Sequence, residues 1–139
     1  GEPEQHRRYS LLRVLEPMIE SFRPTEVLIP TALDRNQDHR WLHDVSMIAL
    51  RPYGQTFVQR VMEGKSPDGQ YGLWVPNVFV QLSEELEQQK LRAVECYARE
   101  AREYPHPRSI QALRSWHQYW GSACFVPKAE PYRLLYQRE

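Results

Sequence analysis

The 139-residue chain has only two cysteines, Cys96 and Cys124, and no Cys-x-x-Cys pair. That argues against a disulfide framework and against a thiolate zinc site; each cysteine lies within an apolar segment, where a buried thiol in a reducing compartment is expected. No apolar run approaches the ~20 residues that a membrane helix needs. The opening Gly1-Glu2-Pro3-Glu4-Gln5 lacks the basic region and apolar core of a secretory signal. A cytoplasmic protein with no membrane partner is therefore expected. Net charge is missing too: Lys plus Arg and Asp plus Glu number 18 each, and the arginines are dispersed rather than gathered in one stripe. No global field draws in nucleic acid or an anionic surface, so nucleic acid is not an expected partner. There is no initial Met, which fits a processed or excised piece, and no internal repeat, low-complexity tract or heptad pattern.

The segments that remain fit one domain, residues 1–139, and a domain of this length can bury about 70% of its unfolded surface. Leu11, Leu12, Val14, Leu15, Met18, Ile19 and Phe22 predict a helix over Tyr9–Phe22 capped by Ser10, with Pro17 kinking it or moving its start, and Arg23-Pro24 ending it. Val27–Ile29, between Pro24 and Pro30, reads as a short buried strand. Trp41, Leu42, Val45, Ile48 and Ala49 predict a helix over Asp38–Leu50, with Asp38 as its cap or in its first turn. Thr56–Met62 reads as a strand, and Glu63–Gly72 as a surface loop with a turn at Asp68-Gly69. Leu73–Val75 and Val78–Val80 predict short strands near a sheet edge. Ser83 caps a long helix over about Glu84–Glu103, with Leu86, Leu91, Val94, Tyr97 and Ala101 on its apolar side. After an extended Pro105–Arg108 break, Ser109 caps a helix to Trp120 with Gly121 as its left-handed stop, and Tyr132–Tyr136 closes as a strand. Alternation of helices and strands predicts an α/β fold.

Among five histidines, His39 has the best context, in a polar turn after a strand and beside Asp34 and Asp38. Strand-to-helix junctions at the carboxyl edge of an open sheet are where ligands and metals usually sit. A hydrolytic zinc takes about three protein ligands with one position open, so one histidine cannot hold it alone. Otherwise His39 is a helix-start histidine facing water. Asp34 and Asp38 read either as an acid–base pair or, one of them, as a cap. Arg35 and Arg108 read as planar donors to a sugar hydroxyl or carboxylate, or as structural ion pairs. His43 follows His39 at the spacing of a His-Glu-x-x-His protease, but Arg40-Trp41-Leu42 supplies no Glu after His39. Lys90 and Tyr97 share a helix face, and His117 is expected at the surface or the edge of the core. Trp41, Trp74, Trp116 and Trp120 stack on sugars or, more commonly in a small domain, fill the core.

The order Arg23-Pro24, Val27-Leu28-Ile29, Pro30, Asp34-Arg35-Asn36-Gln37-Asp38-His39-Arg40 resembles the PIG-L/LmbE-like zinc-dependent N-deacetylases. So do Pro76-Asn77-Val78-Phe79-Val80, Lys90, Tyr97, Pro105-His106-Pro107-Arg108-Ser109, Gly121-Ser122 and Ala129-Glu130-Pro131-Tyr132, which follow the order of that family's carboxyl-terminal half. The family's Ala-His-Pro-Asp-Asp motif, with two zinc ligands and a general base, does not occur in these residues. The resemblance implies a Rossmann-like three-layer α/β fold with a mostly parallel sheet that lacks its first strand–helix units. It implies a hydrolase that removes an N-acetyl group from an amino sugar or similar small amide, with Zn2+ as cofactor. His39 would be the third zinc ligand, the others coming from outside these residues, and Asp38 would share the site as an orienter of an imidazole. Asn36 stands where many relatives have a histidine; an amide can donate to an oxyanion but cannot deliver a proton, which leaves His106 as a candidate acid. Arg35 and Arg108 would contact the N-acetylated substrate. The implied partner is the missing amino-terminal segment or a separate chain, and by itself the chain is expected to be inactive. The alternative is a non-catalytic α/β binding or assembly module that kept the fold's second half, with an open sheet edge and apolar helix faces covered by a partner or by a second copy in a homo-oligomer.

Overall fold

The computed structural model describes residues 4–67 and 73–139, so the expected Asp68-Gly69 turn lies outside the described residues. Among the described residues, four helices and four strands follow in the order α1 (Glu4–Phe22), β1 (Glu26–Pro30), α2 (Gln37–Ala49), β2 (Arg60–Gly64), β3 (Val78–Gln81), α3 (Glu84–Glu95), α4 (Ile110–Ala123) and β4 (Ala129–Gln137). The strand order is β1-β2-β4-β3. β1 and β2 run parallel, whereas β4 is antiparallel to both β2 and β3. The sheet is thus mixed, and the expectation of a mostly parallel one is corrected. Apolar patterning marks which residues face a core, but in strands as short as these it does not settle strand direction. No helix among the described residues is long and apolar enough to cross a membrane.

The chain forms two compact units. One holds α1, β1, α2, β2, residues 73–75 and β4 from Arg133 onward; the other holds β3, α3, α4 and β4 up to Tyr132. In the first unit Ile19, Ile29, Leu50, Val58 and Val61 form the buried cluster, with Leu15, Val27, Phe57, Leu135 and Tyr136 packed against it. Helix α1 begins before Tyr9 and keeps Pro17 in its interior. Ser10 does not cap it; its hydroxyl donates back to the His6 carbonyl at 2.9 Å, a helix-interior bond. The helix stops where Arg23 takes φ 49° while its N–H still bonds the Ile19 carbonyl at 2.8 Å. Phe57 and Val58 precede β2 rather than belonging to it, while Glu63 and Gly64, expected in a loop, complete it.

In the second unit Ser83 and Ser109 cap α3 and α4 as the sequence predicts, each accepting the N–H three residues on at 3.1 Å. Helix α3 ends at Glu95, eight residues short of the expected end: the Cys96 N–H still bonds the Arg92 carbonyl in helical register, but the Tyr97 N–H turns to the Val94 carbonyl three residues back. Tyr97 therefore leaves the face of Lys90. The Pro105–Arg108 segment is turned rather than extended: the peptide before Pro105 is cis and the His106 N–H closes on the Glu103 carbonyl at 3.0 Å. Gly121 is inside α4; the left-handed residue is Phe125, at φ 63°. The cysteines are not buried as expected: Cys96 is exposed and Cys124 half-buried.

Candidate functional site

The turn after β1 is built from three short polar side chains, each bonding the backbone two residues ahead. Thr31 Oγ1 accepts from the Leu33 N–H at 3.2 Å, Asp34 Oδ1 from Asn36 at 2.9 Å, and Asn36 Oδ1 from Asp38 at 2.9 Å. Such side chains imitate a backbone turn and then a helix cap, so the chain leaves the carboxyl end of β1 and enters α2 in six residues. Asn36 is the N-cap of α2, and Asp38 lies exposed in its first turn. Arg40 braces the turn, donating to the carbonyls of Asp34 at 3.1 Å and Arg35 at 3.0 Å.

This geometry leaves Asp34 Oδ2 pointing at His39, whose Nδ1 lies 2.8 Å away. The carboxylate that holds the His39 imidazole is therefore that of Asp34, and not that of Asp38. Burial works to raise the Asp34 pKa. Bonds from the Asn36 N–H and His39, with the charges of His39 and Lys65, outweigh it and hold the group below the ordinary 3.8. An ionised carboxylate accepts only, so Nδ1 carries the proton and the lone pair of neutral His39 lies on Nε2. The ring is 43% exposed and Asp34 only 9%, so the held side is buried and the donor side is open. Among the described residues Nε2 has no partner. One turn further along α2, His43 Nδ1 donates to the Pro30 carbonyl at 2.9 Å and ties α2 to the end of β1. Glu63, buried beneath it, accepts from Trp74 Nε1 at 2.9 Å and lies 3.7 Å from both His43 and Arg133. The ring of His39, with Nδ1 tied to a carboxylate and Nε2 open, has the donor set of a metal-binding histidine. Among the described residues no three His, Cys, Asp or Glu side chains converge to hold a metal ion.

The structure thus gathers Asp34, Arg35, Asn36, Asp38 and His39 in one turn of the first unit. His106 and Arg108 belong to the second. There the Arg108 N–H donates to His106 Nδ1 at 3.1 Å, so neutral His106 keeps its proton on Nε2, and the Arg108 guanidinium pairs with Glu100.

Sequence reasoning missed a polar network in the second unit. His117, expected at the surface or core edge, is 0% exposed; its Nδ1 lies 2.9 Å from Glu87 Oε1 and its Nε2 3.1 Å from Lys90 Nζ. Lys90 pairs with Glu130, whose other oxygen accepts from Tyr132 at 2.9 Å, while Lys128 pairs with Glu87 and, at 2.6 Å, with Glu84. Burial pushes His117 below 6.5 against the pull of Glu87, which keeps the ring neutral. Burial also opposes ionisation of Glu87, but bonds to Lys128 and His117 outweigh it. The signal was present: Glu87 stands four residues before Leu91, and His117 four after Leu113, both on the buried stripes.

No protein-family model matches the chain, and no curated protein does. Solved structures do. The conserved protein TT1542 from Thermus thermophilus superposes with a TM-score of 0.71 at 21% identity, over 100% of this chain and 62% of that one. The A40926 pseudoaglycone deacetylase Dbv21 gives 0.73 at 18%, over 98% and 60%. Teicoplanin deacetylase Orf2, in its zinc-inhibited form, gives 0.66 at 16%, over 96% and 56%. The chain spans about three fifths of the length of these proteins and shares the fold of that portion of them.

Proposed function

We propose that the chain supplies the carboxyl-terminal part of a zinc-dependent N-deacetylase acting on an amino sugar or a similar small amide. The observation that carries this reading is the Asp34–His39 pair at the carboxyl end of β1, 2.8 Å apart, with the second imidazole nitrogen open. It is supported by a fold shared with two deacetylases, one of them described in a zinc-inhibited form. His39 would hold zinc through Nε2, with the remaining protein ligands outside these residues. Bound zinc polarises a carbonyl and makes water acidic enough to react at neutral pH.

The chain's own residues do the rest. Asp34 fixes the ring and holds its tautomer. Asn36 uses its oxygen in capping α2 and keeps its amide N–H groups for the substrate carbonyl as negative charge develops there. Arg35, exposed in the turn after β1, is the proposed contact to sugar hydroxyls. The test is acetate release from N-acetylated amino sugars by the protein at its full encoded length, loaded with zinc. His39→Ala should lower kcat/KM by more than about a hundredfold, beyond the 10–100-fold of a supporting residue, and lose bound zinc. Unchanged turnover and metal content would reject the reading.

A further inference from the structure

Helix α1 carries an apolar face wider than its contacts with the first unit cover. Leu15 and Ile19 pack into the buried cluster of the first unit. Leu11, Val14, Met18 and Phe22 recur every three or four residues, so they line the uncovered side of the same face, and they are exposed by 40%, 59%, 61% and 82%. Single exposed apolar side chains are normal on a protein surface, but four in line along one helix are an interaction surface.

Strand β1 is open as well. It stands at the end of the strand order, with β2 on one side. The Thr25 carbonyl accepts from Gln59 and Arg60, and the Thr31 N–H donates to Gly64, so the odd-numbered backbone groups face β2. Backbone direction alternates along a strand, which turns the N–H and C=O of Glu26 and Leu28 to the open side. Leu28 is itself 53% exposed. A charge at Glu26 and the proline at Pro30 blunt this edge against indiscriminate pairing; nothing polar interrupts the stripe on α1. The solved structures of the same fold supply the occupant's identity. They match nearly all of this chain, yet 38% of the TT1542 chain and 44% of the Orf2 chain lie beyond the 62% and 56% that it covers.

We infer that the outer stripe of α1 and the open edge of β1 are docking surfaces for the remainder of the fold: a further strand that pairs along β1 and a helix whose apolar side covers Leu11, Val14, Met18 and Phe22. The inference depends on fold alone and stands whether or not His39 holds a metal. Hydrogen exchange on the protein at its full encoded length tests it. The Ile29 amide faces β2 and is the internal reference. With a strand added, Leu28 exchanges within about tenfold of Ile29; with the edge open it exchanges about a hundredfold faster or more. Phe22→Asp should lower the urea midpoint of the same protein, since a charge would be forced into an apolar contact. Fast Leu28 exchange, or a midpoint unmoved by Phe22→Asp, overturns the proposal. So does Leu28 protection that disappears on dilution as a dimer dissociates, because the occupant would then be a second copy.

Discussion

Asp34 reaches His39 because three side-chain-to-backbone bonds from Thr31, Asp34 and Asn36 spend one oxygen each on the turn and leave the second Asp34 oxygen for the imidazole. Removing that charge without changing shape isolates the orienting role. If His39 holds zinc as proposed, Asp34→Asn should weaken zinc binding to the full-length protein by about 10–100-fold, the usual effect of losing a carboxylate behind a histidine ligand. The far-UV spectrum should stay the same, and competition against a chromophoric chelator reads the affinity. Asp38→Asn is the matched control: Asp38 is exposed in the first turn of α2, and it should leave the affinity within about twofold. Equal losses in the two variants would return the orienting role to Asp38.

Within α4 the residue that fixes packing is Gly121. A Cβ there would lie 2.6 Å from the Lys128 N and the Val126 carbonyl, both backbone atoms. The helix therefore lies against the approach to β4 at a distance only glycine permits. Gly121→Ala should cost at least the 1–3 kcal/mol of an overpacked core site, read as a lowered urea midpoint. Gly54→Ala, whose Cβ meets only the Arg51 carbonyl at 3.4 Å, should change stability by less than about 0.5 kcal/mol. Sequence identified Gly121 as special but misread the reason, since close approach involves a segment folded back by tertiary structure while a helix stop is a local event. The same division runs through the fold. Caps at Ser83 and Ser109, the apolar run of β1 and the position of β3 at a sheet edge are local or one-sided properties, and they were legible. The end of α3 at Glu95, the direction of β4 and the burial of Glu87 were not. No glycine or proline marks that helix end, and the partners of Glu87, His117 and Lys128, lie 30 and 41 residues away. In the candidate site, the polar turn that holds His39 was legible; the Asp34 partner was hidden because either of two aspartates could reach the ring.

Charges that balance at 18 against 18 leave no net field, so pH acts on this protein through particular pairs. His117 is neutral when folded, with burial first and then Lys90 lowering its pKa while Glu87 and Glu130 oppose them. The unfolded chain accepts a proton near 6.5 and the folded one only at lower pH, so the unfolded state binds more protons in between and stability falls as pH drops below about 6.5. One such proton contributes a slope of at most about 1.4 kcal/mol per pH unit. The carboxylates act in the same direction but later. In Glu87 and Glu130, burial is outweighed by bonds to Lys128 and His117 and to Lys90 and Tyr132; in Glu84, bonds to Lys128 and Gln88 lead. These three start to lose their contribution below about 4.5, and Asp34 below about 3.8. Lys128, raised by bonds to Glu84 and Glu87, contributes below about 10.5 and loses its contribution only as pH rises beyond that. Urea midpoints should therefore be flat between about pH 7 and 10, begin to fall near 6.5, and steepen below 4.5. His117→Gln separates the first step from the rest. Its amide can still donate to Glu87 and accept from Lys90 but cannot titrate, so the variant should be less stable at pH 8 yet flat down to about 4.5. If the unsubstituted protein is itself flat from pH 6.5 to 5, the imidazole is not held neutral by its burial, and acid does not act on His117 ahead of the carboxylates.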